Sequence, residues 1–282
     1  MHLHSAVLRH LSAAVPRSTE DAALAALALR RTKPALTPPL HSELAAGAWT
    51  TGLPEAPPNA FHSALSLLVL RTLTAGAAEA AAERALSFLT DLHPAETHWL
   101  WKWKFRLVDR HVKFDPAKYG WPWIPGTVSW VAPTALTMLA FRAWHVEHPR
   151  LQSATAMLLD RACSDGGWNA GNSVVFGVNL APHPDFTAMA LLALHARIPS
   201  TADPIRKALD YLATRLTSSR STYSLAWATM ALAAHGDPRA TTVRRHLEEV
   251  LAKSDLPRLP VRSLALAALA REEPTFTFQE FA

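Results

Sequence analysis

The chain is poor in the residues that build stapled or sheet-rich proteins. It has one cysteine, Cys163, in 282 residues, so no internal disulfide can form and no thiolate cluster is available to a metal. Ten glycines and few β-branched residues leave long Ala/Leu-rich stretches, which favour helix over strand. No charge-free apolar run reaches the roughly 18 residues a membrane span needs. Residues Met1 to Pro16 lack a long apolar core, so no secretory signal is expected and the cytoplasm is the default compartment. A formal net charge of +5, with Lys and Arg scattered along the chain, offers no dedicated nucleic-acid arm.

Proline is what the chain has in abundance. Its 21 prolines cluster between the Ala/Leu stretches, as at Pro38-Pro39, Pro57-Pro58, Pro122 to Pro125 and Pro182 to Pro184. Proline lacks the amide proton of a helix interior, so these clusters mark loops between many helices.

The stretches repeat. Thr134-Ala-Leu-Thr-Met-Leu-Ala-Phe141, Thr187-Ala-Met-Ala-Leu-Leu-Ala-Leu194 and Leu225-Ala-Trp-Ala-Thr-Met-Ala-Leu232 align without gaps. Arg262 to Leu269 fits more loosely, and an earlier copy begins near Phe61. The copies are apolar nearly all round, the mark of helices buried on several sides. Between them lie amphipathic stretches: Ala78 to Leu92, Arg150 to Ala162, Asp203 to Leu216 and Pro238 to Lys253. In the third of these, Ile205, Leu209, Leu212 and Leu216 form a stripe that Arg206, Lys207, Asp210 and Arg215 largely avoid. Apolar and amphipathic helices alternating roughly every 38 residues predict about five stacked helical hairpins, apolar helices inside. The expectation is one all-α domain over residues 1–282, with recognisable repeats over 59–270 and an insertion at about 94–130.

Two loops carry a resemblance. Tyr119-Gly-Trp-Pro-Trp-Ile-Pro-Gly-Thr-Val-Ser-Trp130 precedes one apolar helix, and Cys163-Ser-Asp-Gly-Gly-Trp168 precedes the next. An Asp-Gly-Gly-Trp turn followed by a Thr-Ala-initiated apolar helix resembles the repeats of squalene-type triterpene cyclases and protein prenyltransferase β-subunits. The resemblance implies an α/α-toroid, and Ala162 stands where the cyclase repeat carries Gln. The glycines would turn the chain at the end of the outer helix, and Trp168 would plug the hairpin end. In squalene–hopene cyclases an Asp-x-Asp-Asp-Thr-Ala motif opens an inner helix and its middle Asp protonates the isoprenoid. The matching stretch here, His183-Pro-Asp-Phe-Thr-Ala188, implies Asp185 as the acid with His183 as its partner. The residues themselves leave a second role open, since Asp and Thr in a first turn also cap a helix.

The same resemblance implies an aromatic ligand cavity near the starts of the apolar helices, lined by Trp121, Trp123, Trp130, Trp168, Tyr223 and Trp227. Its ligand would be an isoprenoid or similar apolar molecule, with proton-initiated cyclisation as the chemistry and aromatic faces stabilising cations. A non-catalytic toroid that binds a protein, peptide or lipid stands as the alternative. At about half the length of the two-domain cyclases, one toroid could also need a partner subunit.

No cofactor and no metal are expected. The Asp-Asp-x-x-Asp cluster that holds magnesium diphosphate is missing, as are the Asp-x-Cys pair of zinc prenyltransferases and any His-x-x-x-His spacing. Cys163 reads as a packing residue. Finally, Trp99, Trp101, Trp103 and Phe105 alternate with Lys102, Lys104 and Arg106. As a strand this stretch would have an aromatic and a basic face, and as a helix it would spread both around the cylinder. It suits a lid over the cavity, a peripheral membrane contact, or an insertion packed on the helices.

Overall fold

The structure is a computed structural model that describes residues 2–32, 58–72, 76–107, 114–195 and 197–280. The protein is all-α. In chain order the helices are α1 (His2–Ala13), α2 (Thr19–Leu29), α3 (Ala60–Leu70), α4 (Gly76–Asp91), α5 (Trp99–Leu107) and α6 (Val131–Ala143). They continue with α7 (Arg150–Asp160), α8 (Pro184–Leu194), α9 (Asp203–Arg215), α10 (Thr222–Ala234), α11 (Ala240–Ala252) and α12 (Val261–Ala270). The only sheet among the described residues is a hairpin of β1 (Val174–Val175) and β2 (Val178–Asn179). The expected loop at Pro38-Pro39 lies outside the described residues.

Helices α2, α3, α6, α8, α10 and α12 are the apolar set, buried along nearly their whole length. Three start on side-chain caps: Ser18 accepts from Asp21 N, Asn59 from His62 N and Ser221 from Ser224 N. Among the described residues the set numbers six, one more than the repeat reading expects, because α2 also belongs to it. The outer helices are amphipathic, and α9 buries Ile205, Leu209 and Leu212 while Arg206 and Lys207 stay exposed.

Each inner helix packs on the next, α2 on α3, then α6, α8, α10 and α12, and α12 returns to α2. Their contacts form a closed circuit. The seam between α12 and α2 is clamped at both ends. In the first turns the Arg262 amide donates to Asp21 Oδ1 at 3.1 Å. At the far end Arg30 holds Glu272 through two hydrogen bonds. The first turns therefore gather at one end of the circuit and the last turns at the other.

Two loops lock outer helices to inner ones in the same way. Trp168 Nε1 donates to Leu158 O at 2.6 Å, capping the last turn of α7, while its amide donates to Thr187 Oγ1 on α8 at 2.9 Å. Trp121 repeats the pattern, with Nε1 on Leu89 O of α4 at 2.7 Å and its amide on Thr134 Oγ1 of α6 at 2.9 Å. The glycine before each Trp is required by space. A Cβ on Gly120 would stand 2.4 Å from the Thr134 side chain, and one on Gly167 would stand 2.6 Å from Thr187 Oγ1. Gly167 also has φ +84°, a backbone that side chains disfavour.

After α12 the chain crosses the end where the inner helices finish. Phe276 and Phe278 are buried there, and Phe278 stacks on Trp227 with centroids 5.6 Å apart. Gln279 then meets His195 at the end of α8 at 2.8 Å. The described residues of the expected insertion supply a 3-10 turn (Ala95–Thr97), α5 and the segment 114–130. Its Trp/Lys stretch is helical, so the two-faced strand pattern is not formed.

Candidate functional site

The second residues of the six inner helices are Glu20, Phe61, Ala132, Asp185, Tyr223 and Arg262. They form one layer at the starting end of the circuit. Tyr223 Oη donates to Glu20 Oε1 at 3.1 Å, although α12 stands between their helices in the circuit. Both side chains therefore face inward. Burial is the main cause that raises the Glu20 carboxyl above its ordinary pKa, and the charges of Asp21 and Asp185 add to it. Arg262 and the Tyr223 hydroxyl act the other way. Burial, with the Glu20 charge beside it, pushes the Tyr223 phenol well above its usual range. The result is a protonatable carboxyl held in a partly dry setting by a phenol, with a second carboxylate and a guanidinium in electrostatic reach.

One turn deeper on the same helix faces lie Leu24, Leu65, Leu136, Met189, Trp227 and Leu266, all buried. Trp227 Nε1 makes no hydrogen bond with a described residue, and its ring lies edge-on to that of Tyr223 with centroids 6.4 Å apart. Phe278 backs Trp227 from the opposite end, so the indole lies between Phe278 and the Tyr223 ring.

The residues singled out from sequence divide into groups. Asp185 sits half-buried in the first turn of α8 and makes neither a capping hydrogen bond nor an ion pair. His183 is exposed and lies edge-on to Phe186 with centroids 5.9 Å apart. The expected His183–Asp185 hydrogen bond is not formed, because His183 is the cap residue outside the helix and its ring is exposed. Tyr223 and Trp227 belong to the inward layers. Trp123 packs on Phe61 at 5.0 Å and remains half-buried. Trp130 lies half-buried over Gly171, where an added Cβ would come within 3.1 Å of its ring. Trp121 and Trp168 are fully buried, engaged with the outer helices as described.

Glu20 and Arg262 escape the sequence reading. The signal for Glu20 was present in Ser18-Thr-Glu-Asp followed by an Ala/Leu run, a cap residue opening an apolar stretch.

Near Phe61, His62 is buried and held at a pKa of about 4 by desolvation. Its Nδ1 accepts from the Asn59 amide at 2.6 Å, which requires the neutral ring. Cys163 is buried, and burial raises its thiol pKa. Among the described residues no group of three or more His, Cys, Asp or Glu side chains could hold a metal ion. The chain matches no protein-family model, and no curated protein matches it.

Proposed function

We propose that the protein holds an isoprenoid-like apolar small molecule at the starting end of the helix circuit and acts on it by proton transfer, as a cyclase does. The carrying observation is Glu20, a carboxyl of raised pKa, bonded to Tyr223, whose ring meets that of Trp227 edge-on. A general acid works best when its pKa approaches the working pH, and burial beside another carboxylate drives a carboxyl that way. Glu20 is the proton donor in this reading. Asp185 raises its pKa and faces a developing cation, and the half-buried Trp123 and Trp130 offer π faces to that charge. The closed circuit of inner helices and the Gly-Trp locks support the α/α-toroid reading. The test is mass spectrometry of apolar molecules extracted from the purified protein, followed by turnover of the compound found. Glu20→Gln should abolish turnover by orders of magnitude while leaving binding intact. Full turnover by Glu20→Gln would reject the assignment.

A second reading, a non-catalytic toroid that binds a partner, is favoured by one observation. The layer beneath Glu20 is packed with Leu, Met and Trp side chains and backed by Phe278. Recovery of a stoichiometric protein partner with no extracted apolar molecule would select it.

A further inference from the structure

Every exposed large apolar side chain among the described residues lies at the end of the circuit where the inner helices begin. Trp99, Trp101 and Trp103 stand on α5, whose flanks are anchored there by Ala95 N to Thr127 O and by Asp115 N to Asp160. Ile124 is in the loop before α6, and Phe176 and Val178 are on the hairpin before α8. Six of the set are more than half solvated: Val15 at 79%, Trp99 at 68%, Leu100 at 52%, Trp103 at 61%, Phe176 at 72% and Val178 at 62% exposure. Scattered exposed apolar residues are ordinary, but a one-sided set marks an interaction face.

The shape of the set speaks for a soft partner. Most of the side chains sit on protrusions, a helix and a hairpin tip, at this end of the circuit. Phe176 and Gly177 form that tip with φ of 51° and 75°. A bulky residue is costly in that backbone region, and here it places an aromatic ring outward. Cations accompany the aromatics. The Lys104 ammonium lies 4.5 Å from the Trp101 ring centroid. At the same end Arg220 and Lys253, with one carboxylate, Glu249, line a surface groove of about 410 Å³. Tryptophan with lysine is the pairing favoured where hydrocarbon meets anionic headgroups. No helix among the described residues is long and apolar enough to cross a membrane, so the contact would be superficial.

We propose that this end docks on the surface of an anionic lipid bilayer, with α5 and the hairpin tip seated among the headgroups. Docking concerns the exterior and stands apart from the ligand reading. The experiment is flotation of the purified protein with phosphatidylcholine vesicles, with and without phosphatidylserine. Binding is expected with phosphatidylserine, falling as salt is added. The double variant Trp99→Glu/Trp103→Glu should bind roughly tenfold more weakly or worse, and Lys104→Ala about fivefold more weakly. Both should keep the parent melting temperature, since these side chains are exposed. No flotation with phosphatidylserine vesicles, or equal binding by the double variant, overturns the proposal. A concentration-dependent dimer that the double variant abolishes would also overturn it, by assigning the face to a second copy of the chain.

Discussion

Arg30 grips Glu272 with both terminal nitrogens, at 2.7 and 2.8 Å, and so ties the end of α2 to the residues after α12. The two side chains are 12% and 10% exposed, and the Arg30 guanidinium also covers the Phe276 ring at 4.5 Å. A bidentate pair so little exposed is hard to break on one side, because the survivor is left charged and poorly solvated. Arg31 Nη1, 3.3 Å from Glu272 Oε2, stays as a partial partner, so Arg30→Ala should cost about 2 kcal/mol by denaturant titration. A loss within about 0.5 kcal/mol, the usual range for surface changes, would mean that the seam does not depend on the clamp.

Trp168 is expected to be structural. Removing its indole opens a cavity between α7 and α8 and frees Leu158 O, so Trp168→Ala should destabilise the protein by about 3 to 5 kcal/mol. Trp168→Phe should recover most of the packing and none of the hydrogen bond. An unchanged melt for Trp168→Ala would move the residue to the ligand pocket.

Acid should weaken the protein through His62. Its folded pKa of about 4 lies below the ordinary value near 6.5, so between these pH values the unfolded chain binds the extra proton. Stability is then full above about pH 6.5 and falls as the pH drops toward 4, by about 3 kcal/mol from this group. Protonation would also set the new N–H against the Asn59 amide that now donates to Nδ1. In His62→Gln the slope of stability against pH over this window should be visibly shallower. An unchanged slope would assign the acid lability to other histidines.

Asp185 and Glu20 separate by substitution. Asp185 makes no capping bond, so Asp185→Asn should leave the melting temperature nearly unchanged. In the proposed mechanism it should slow turnover less than Glu20→Gln, because it acts on Glu20 through charge and not as the donor. Equal and complete loss in both variants would point to a carboxyl pair working as one unit.

Much of the fold was legible because its locks are written in short sequence. Asp165-Gly-Gly-Trp168 followed by Thr187 records both the turn and the helix it grips, and the stripe of Asp203 to Leu216 records which face of α9 is buried. The site was less legible. Tyr223, Trp227 and Asp185 could be placed at helix starts, but Glu20 meets Tyr223 only because the circuit closes, and no local pattern encodes a contact 203 residues apart. For the same reason Arg262 read as the loose start of a fourth copy, not as the residue that meets Asp21. The helical state of Trp99–Leu107 also went unread, since strict aromatic/basic alternation fits a strand as well.

The seam has a kinetic consequence. The inner helix pairs from α6 to α12 join neighbours in sequence, so they can form by propagation, repeat after repeat, at small cost in loop closure. The contacts of α12 with α1 and α2 span nearly the whole chain, and contacts of that separation tend to form late. Substitutions at Arg30, Asp21 or Glu272 should therefore act chiefly on the unfolding limb of a chevron plot, leaving the folding limb almost in place. The same seam would be the first joint to open in the native protein. Amide exchange in α1, α2 and α12 would then run ahead of exchange in α8 and α10.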